Sequence, residues 1–232
     1  MELLTLLFKL ALLATPSVDA LLLDMETRDA FEGRWSSAIV TVVYRPPASP
    51  LEDPSMTPPL EVTGFVLAGP GDAGISVAAP ARRLEGLTKV QVRYASGETV
   101  SATVRWPGDE RDVPLVYITP ADVPEGVRSL RWAEEERIVV GRRAWVIERP
   151  KGRGPTGRPM DPVLVDTSIG PPVEAPLERF YSARLREADG SPLLDVDGRI
   201  LCALFRSSPV NAEVAYCASG KWAFEQPERP SE

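Results

Sequence analysis

Histidine is absent from this 232-residue chain. It is the side chain whose ordinary pKa lies nearest neutrality and the usual general base for a serine or cysteine nucleophile. A Ser-His-Asp triad therefore cannot be assembled, and histidine-based metal sites are excluded with it. Cysteine is scarce, at two residues, too few to make a zinc site alone. Positive charge is in deficit: 26 Lys and Arg stand against 33 Asp and Glu, for a net charge of −7. That leaves no basic footprint for nucleic acid. Glycine, at 17, is outnumbered by 24 prolines, which favours turns and extended connections over long helices. Long apolar runs are missing too. The nearest, Leu3 to Ala14, contains Thr5 and Lys9 and is too short for a comfortable membrane span.

What is present is the composition of a soluble globular protein, 44% hydrophobic and 25% charged. The length suits one all-β domain or two small lobes with a sizeable core. The Leu3–Ala14 run, closed by Thr15, Pro16 and Ser17, has the form of a secretory signal peptide. Val18 and Ala20 then set cleavage after Ala20, and residues 1–20 are the expected leader. An ordinary amphipathic first helix is the alternative. Lys9 and the acidic Glu2 fit the leader imperfectly.

Strand signals fill the body. Ser37 to Tyr44 is rich in β-branched residues. Arg45 to Pro59 carries too many prolines for regular structure. Val62 to Ala68 and Gly74 to Ala79 flank a glycine turn. Leu87 to Tyr94 and Thr99 to Trp106 alternate apolar and polar residues, so each buries one face. Asp112 to Ile118 is a further strand, and Pro120 to Glu125 a crossover between lobes. Arg137 to Ile147 reads as a strand, a turn at Gly141 and a second strand. Val163 to Val165, Phe180 to Leu185, Leu201 to Phe205 and Glu213 to Cys217 complete the set. A terminal helix is expected from Lys221 to Glu225, followed by a frayed tail. The basic loop Arg149 to Pro162, with Lys151, Arg153 and Arg158, reads as solvated surface; an anion or partner contact is its alternative. Cys202 and Cys217 would approach each other if the last two strands pair. A disulfide and a pair of buried free thiols both fit.

The stretch Glu187 to Ile200 orders these parts. It contains Asp189-Gly190-Ser191-Pro192, an apolar strand, an Asp197-Gly198 turn and a second apolar strand. It resembles the nucleophile loop of trypsin-like serine proteases of the HtrA type, where Gly-x-Ser-Gly-Gly-Pro precedes a strand, a turn and a strand. Four other segments resemble that family in the same order. They are the Gly64-Phe65 hairpin returning through Ile75-Ser76, the strand pair on either side of Gly97, the run from Asp112, and the Val140-Gly141 segment. The resemblance covers about Ser37 to Ser219. It implies an all-β fold of two antiparallel barrels, with lobes at 21–119 and 120–232. An unrelated β-sandwich is the rival architecture.

Carried over residue by residue, the resemblance implies a dismantled site. The general-base position falls on Ala79, to within one residue. The orienting aspartate falls on Asp112, where Pro114 departs from the family pattern. The nucleophile position falls on Asp189 and the oxyanion glycine on Glu187. Two carboxylates cannot replace a nucleophile and an oxyanion donor. The expected function is that of an inactive, exported protein- or peptide-binding or regulatory module, periplasmic or extracellular. It needs no cofactor and no metal, contacts no nucleic acid and has no stable membrane span. The alternatives are a weak hydrolase using Ser191 and a structural envelope protein. For the hydrolase, Lys89, Lys151 and Lys221 are the lysines beyond the leader, and none lies near the aligned base. A calcium loop built from Asp189, Asp195 and Asp197 lacks the spacing of known loops, and its Asp-Gly turn is expected on backbone grounds.

Overall fold

The computed structural model describes residues 18–46, 58–68, 74–106, 114–148, 163–168, 179–182, 190–205 and 214–218. It opens with helix α1, Val18–Trp35. Leucine, methionine, glutamate, arginine and alanine are good helix formers, and no proline interrupts them. The expected cleavage point after Ala20 falls inside this helix. Among the described residues no helix is long and apolar enough to cross a membrane.

Six strands follow: β1 Ile39–Tyr44, β2 Leu60–Ala68, β3 Ile75–Pro80, β4 Lys89–Arg93, β5 Thr99–Arg105 and β6 Leu115–Pro120. They form a closed antiparallel barrel in the order β1-β2-β3-β6-β5-β4, with β4 returning to β1. The two-residue period decides which side chains go inside. Val90 and Val92 point inward, while Lys89 and Gln91 are exposed. Val40, Val42, Val66, Val77, Val104 and Ile118 join them in the barrel core. Each such side chain contributes about 1.5–3 kcal/mol on burial.

The connection out of the barrel is itself a structural member. Leu130 N–H donates to the Val66 carbonyl at 2.8 Å, and the Leu130 carbonyl accepts from Ala68 N–H at 3.1 Å. Three residues on, Ala133 N–H donates to the Ile200 carbonyl at 2.8 Å, and Ile200 N–H donates to Arg131 at 2.8 Å. The segment thus bonds to β2 on one side and to the second lobe on the other.

The second lobe is a six-stranded antiparallel sheet: β7 Arg143–Glu148, β8 Val163–Ser168, β9 Arg179–Ser182, β10 Pro192–Leu194, β11 Ile200–Phe205 and β12 Val214–Ala218. Its order is β8-β7-β10-β11-β12-β9. Numbered from one to six within each lobe, both halves follow the same ring, 2-1-4-5-6-3. The expected two-lobed antiparallel β architecture is what the chain adopts. In the first lobe the ring closes; in the second the described ladders stop at β8 and β9.

One expected strand does not form. Arg137 to Val140 was to pair with the segment after Gly141, yet Arg137 ends a 3-10 turn, Ile138 and Val139 have no regular structure and Val140 opens a turn. Both edges of β7 are occupied, by β8 and by β10. No ladder is left for a hairpin partner, and Val139 and Val140 stay exposed. The expected terminal helix at Lys221 to Glu225 and the basic loop at Arg149 to Pro162 lie outside the described residues.

Between the lobes runs a core shared by both. Ile39, Phe65, Ala78 and Leu115 from the first lobe pack with Trp145, Ile147, Leu164, Leu194 and Ile200 from the second. Helix α1 belongs to this layer, through Phe31. It precedes the first lobe in sequence but is clamped to the second. The Phe31 ring meets Trp145 edge-on at 4.2 Å. Arg28 donates to the Leu164 carbonyl at 3.0 Å, and Arg143 pairs with Asp24 at 2.8 Å.

Candidate functional site

The loop that leads into β10 meets the end of β3 at the junction of the lobes. Gly190 is the point of contact. Its φ is +87°, a conformation that L side chains rarely adopt. A Cβ there would lie 2.6 Å from two ring carbons of Pro80 and would collide with the Thr63 carbonyl. Only a glycine lets the loop backbone approach β2 and β3 this closely. The loop is secured from behind by β11: Gly190 N–H donates to the Leu204 carbonyl, and Leu204 N–H to the Ser191 carbonyl, both at 2.9 Å.

Ala79 is fully buried within the core of the first barrel. The residue that faces the loop is its neighbour, Pro80. Neither carries a titratable atom. Ala81 N–H donates to the Pro114 carbonyl at 2.9 Å, so the chain leaving β3 is tied to the start of β6. Asp112, Asp189 and Glu187 lie outside the described residues. Ser191 is fully buried, and its Oγ has no hydrogen-bond partner. A hydroxyl in that position is closed to a substrate arriving from solvent.

The Asp-Gly turn after β10 is built by an ion cluster. Asp195 is fully buried. Its Oδ1 accepts the N–H groups of Asp197 and Arg199, each at 2.9 Å. Its Oδ2 accepts from Arg137 Nη1 at 2.9 Å, and the same nitrogen reaches Asp197 Oδ2 at 2.8 Å. The hydrogen bond from Arg137 holds the exposed Asp197 carboxyl below its ordinary value. A guanidinium thus occupies the place where the calcium reading needed an ion. Among the described residues no group of metal-ligating side chains occurs. Behind the turn, Gly198 (φ +78°) lies flat against the Trp35 indole at the end of α1, with no space for a Cβ.

Cys202 on β11 is disulfide-bonded, and Cys217 is the chain's other cysteine. The backbone of Cys217 on β12 stands opposite Leu204.

Sequence reasoning located the β10–β11 hairpin and its Asp-Gly turn. It missed Pro80 and Thr63 as the surfaces that Gly190 presses on. The Ala78-Ala79-Pro80 run was the available signal, since a proline ending a strand fixes how the chain leaves it. Arg137 was missed as the keystone of the turn. Its partners lie 58 and 60 residues away, with no local pattern to reveal them.

No family model matches the chain, and no curated protein matches it. Among solved structures it is similar to the HtrA-type protease AlgW with a decapeptide, at a TM-score of 0.60 and 14% identity. That match covers 84% of this chain and 65% of the other, so the chain spans about 65% of that protein's length. The likeness is one of fold, and the fold is the two-lobed β architecture of trypsin-like proteases.

Proposed function

We propose that this chain is a catalytically inactive protein- or peptide-binding module on a trypsin-like scaffold, exported from the cytoplasm. The observation that carries the reading is Pro80 packed on Gly190. At the meeting point of β3 and the nucleophile loop there is a proline ring, and the whole chain has no histidine to supply a base. The burial of Ser191 removes the remaining candidate nucleophile from solvent. Binding of a partner fits the solved neighbour, which carries a decapeptide. Export fits the disulfide at Cys202, because such bonds persist in oxidising compartments.

The test is a fluorophosphonate probe applied to native and heat-denatured protein, read by intact mass and peptide mapping. The expected result is no labelling that depends on the fold, and a mature chain beginning after Ala20. Labelling of native Ser191 would overturn the inactive reading. A mature chain that retains residues 1–20 would overturn the expected leader. Screening immobilised peptide mixtures then tests binding, and an absence of any saturable ligand would leave the structural alternative.

A further inference from the structure

The end of the second lobe where β10 turns into β11 leaves three valines in solvent. Val139, Val140 and Val196 are each more than half exposed. One arginine joins the two turns that carry them. Arg137 Nη1 donates to Asp195 and Asp197, on either side of Val196, at 2.9 and 2.8 Å. Its carbonyl accepts from Arg142 Nη1 at 3.1 Å, and Arg142 N–H closes the 139–142 turn on the Val139 carbonyl at 3.1 Å. The hydrogen bond from Arg137, with the charges of Arg199 and Arg142 behind it, holds the Asp197 carboxyl low. The valines therefore sit among arginines.

The ladder register shows which part of the chain is delivered to this end. β12 runs antiparallel to β11, with Phe205 opposite Tyr216, Leu204 opposite Cys217 and Ala203 opposite Ala218. A chain leaving Ala218 is thus headed toward Ile200 and the turn before it. The residues that follow are Ser219 to Glu232. Lys221 is three residues on, the same count that separates Ala203 from Ile200. Directly after it come Trp222-Ala223-Phe224, and then Glu225, Glu228 and Glu232. Two aromatic side chains followed by carboxylates complement an aliphatic patch set among arginines. The segment 169–178 leaves β8 at the same end, since Ser168 stands opposite Arg143. It has no aromatic residue, and it has to return to β9 at Arg179.

We infer that residues 219–232 dock on this patch, with Trp222 and Phe224 over the valines and the glutamates meeting Arg142 and Arg199. The contact lies at the end of β10 away from Gly190 and does not depend on the proposed function.

The experiment keeps the full chain and replaces Trp222 with the photoreactive benzoylphenylalanine. After irradiation, peptide mapping identifies the linked residues, and gel mobility separates links within a chain from links between chains. Links within one chain to 139–142 or 195–199 are expected. Val196→Asp alters an exposed side chain, so it should lower the yield of those links several-fold while the melting temperature holds. In the Trp222→Ala, Phe224→Ala double variant, hydrogen exchange at 139–142 and 196–198 should quicken about fivefold or more, with β4 and β5 unchanged. Unchanged exchange would overturn the inference. So would links that map only to 169–178 or to the first lobe, an absence of links, or a yield indifferent to Val196→Asp. Links between chains would assign the patch to a second copy and overturn it as well.

Discussion

In the first lobe β2 and β3 meet along a ladder from Phe65–Ala78 to Ala68–Ile75. Their counterparts in the second lobe, β8 and β9, each carry one described ladder, to β7 and to β12. The ring order is shared, so the difference lies in what completes each half. The first barrel is finished by its own alternating strands and fills itself with β-branched side chains. The second draws on parts from elsewhere in the chain. Phe31 and Trp35 come from α1, Arg137 from the connecting segment, and a disulfide fastens β11. A strand order can thus be repeated while the means of stabilising it are not.

The comparison breaks most sharply at Phe31. Phe31→Ala removes a buried ring from the shared core and should cost about 3–5 kcal/mol. Hydrogen exchange should show β7 and β8 loosening while β4 and β5 keep their protection. Equal loosening of both lobes would mean that the halves form one cooperative unit. Asp195→Ala comes next. It leaves the N–H groups of Asp197 and Arg199 without their acceptor, for a loss of about 2–3 kcal/mol by chemical denaturation. The first barrel should again be spared. The smallest effect is that of pH on Asp197. Its folded pKa is depressed below the ordinary 3.8 by the hydrogen bond from Arg137. The carboxylate therefore contributes fully above pH 3.8, and its contribution is lost as pH falls through the lower folded value. Melting curves taken from pH 5 down to pH 3 should fall slightly more steeply for the native chain than for Asp197→Asn. Parallel curves would assign the turn to Asp195 alone.

The strands of the first lobe were legible because their burial follows a local two-residue period. Val90, Val92, Val100, Ala102 and Val104 announce the inner face without reference to the rest of the chain. The β10–β11 hairpin was legible for a similar reason, since Asp197-Gly198 marks its turn. What escaped was set by distant contacts. Ile138, Val139 and Val140 have strand character, but the edge they would have used belongs to β8 and β10. Val18–Trp35 shows no sharp apolar stripe to betray its seat on β7 and β8. The absence of histidine was plain from composition alone, whereas the proline ring beside Gly190 required the fold.

The placement of α1 has a consequence for the order of events during synthesis. The helix leaves the ribosome before either lobe, yet the carbonyl that receives Arg28 belongs to Leu164, 136 residues later. Trp145 and Gly198, the seats of Phe31 and Trp35, also arrive late. The first barrel has every strand it needs once Pro120 has emerged. In nascent chains the leading segment therefore waits with its aromatic rings unhoused beside a barrel that is already complete, and it docks only when the last strands are delivered.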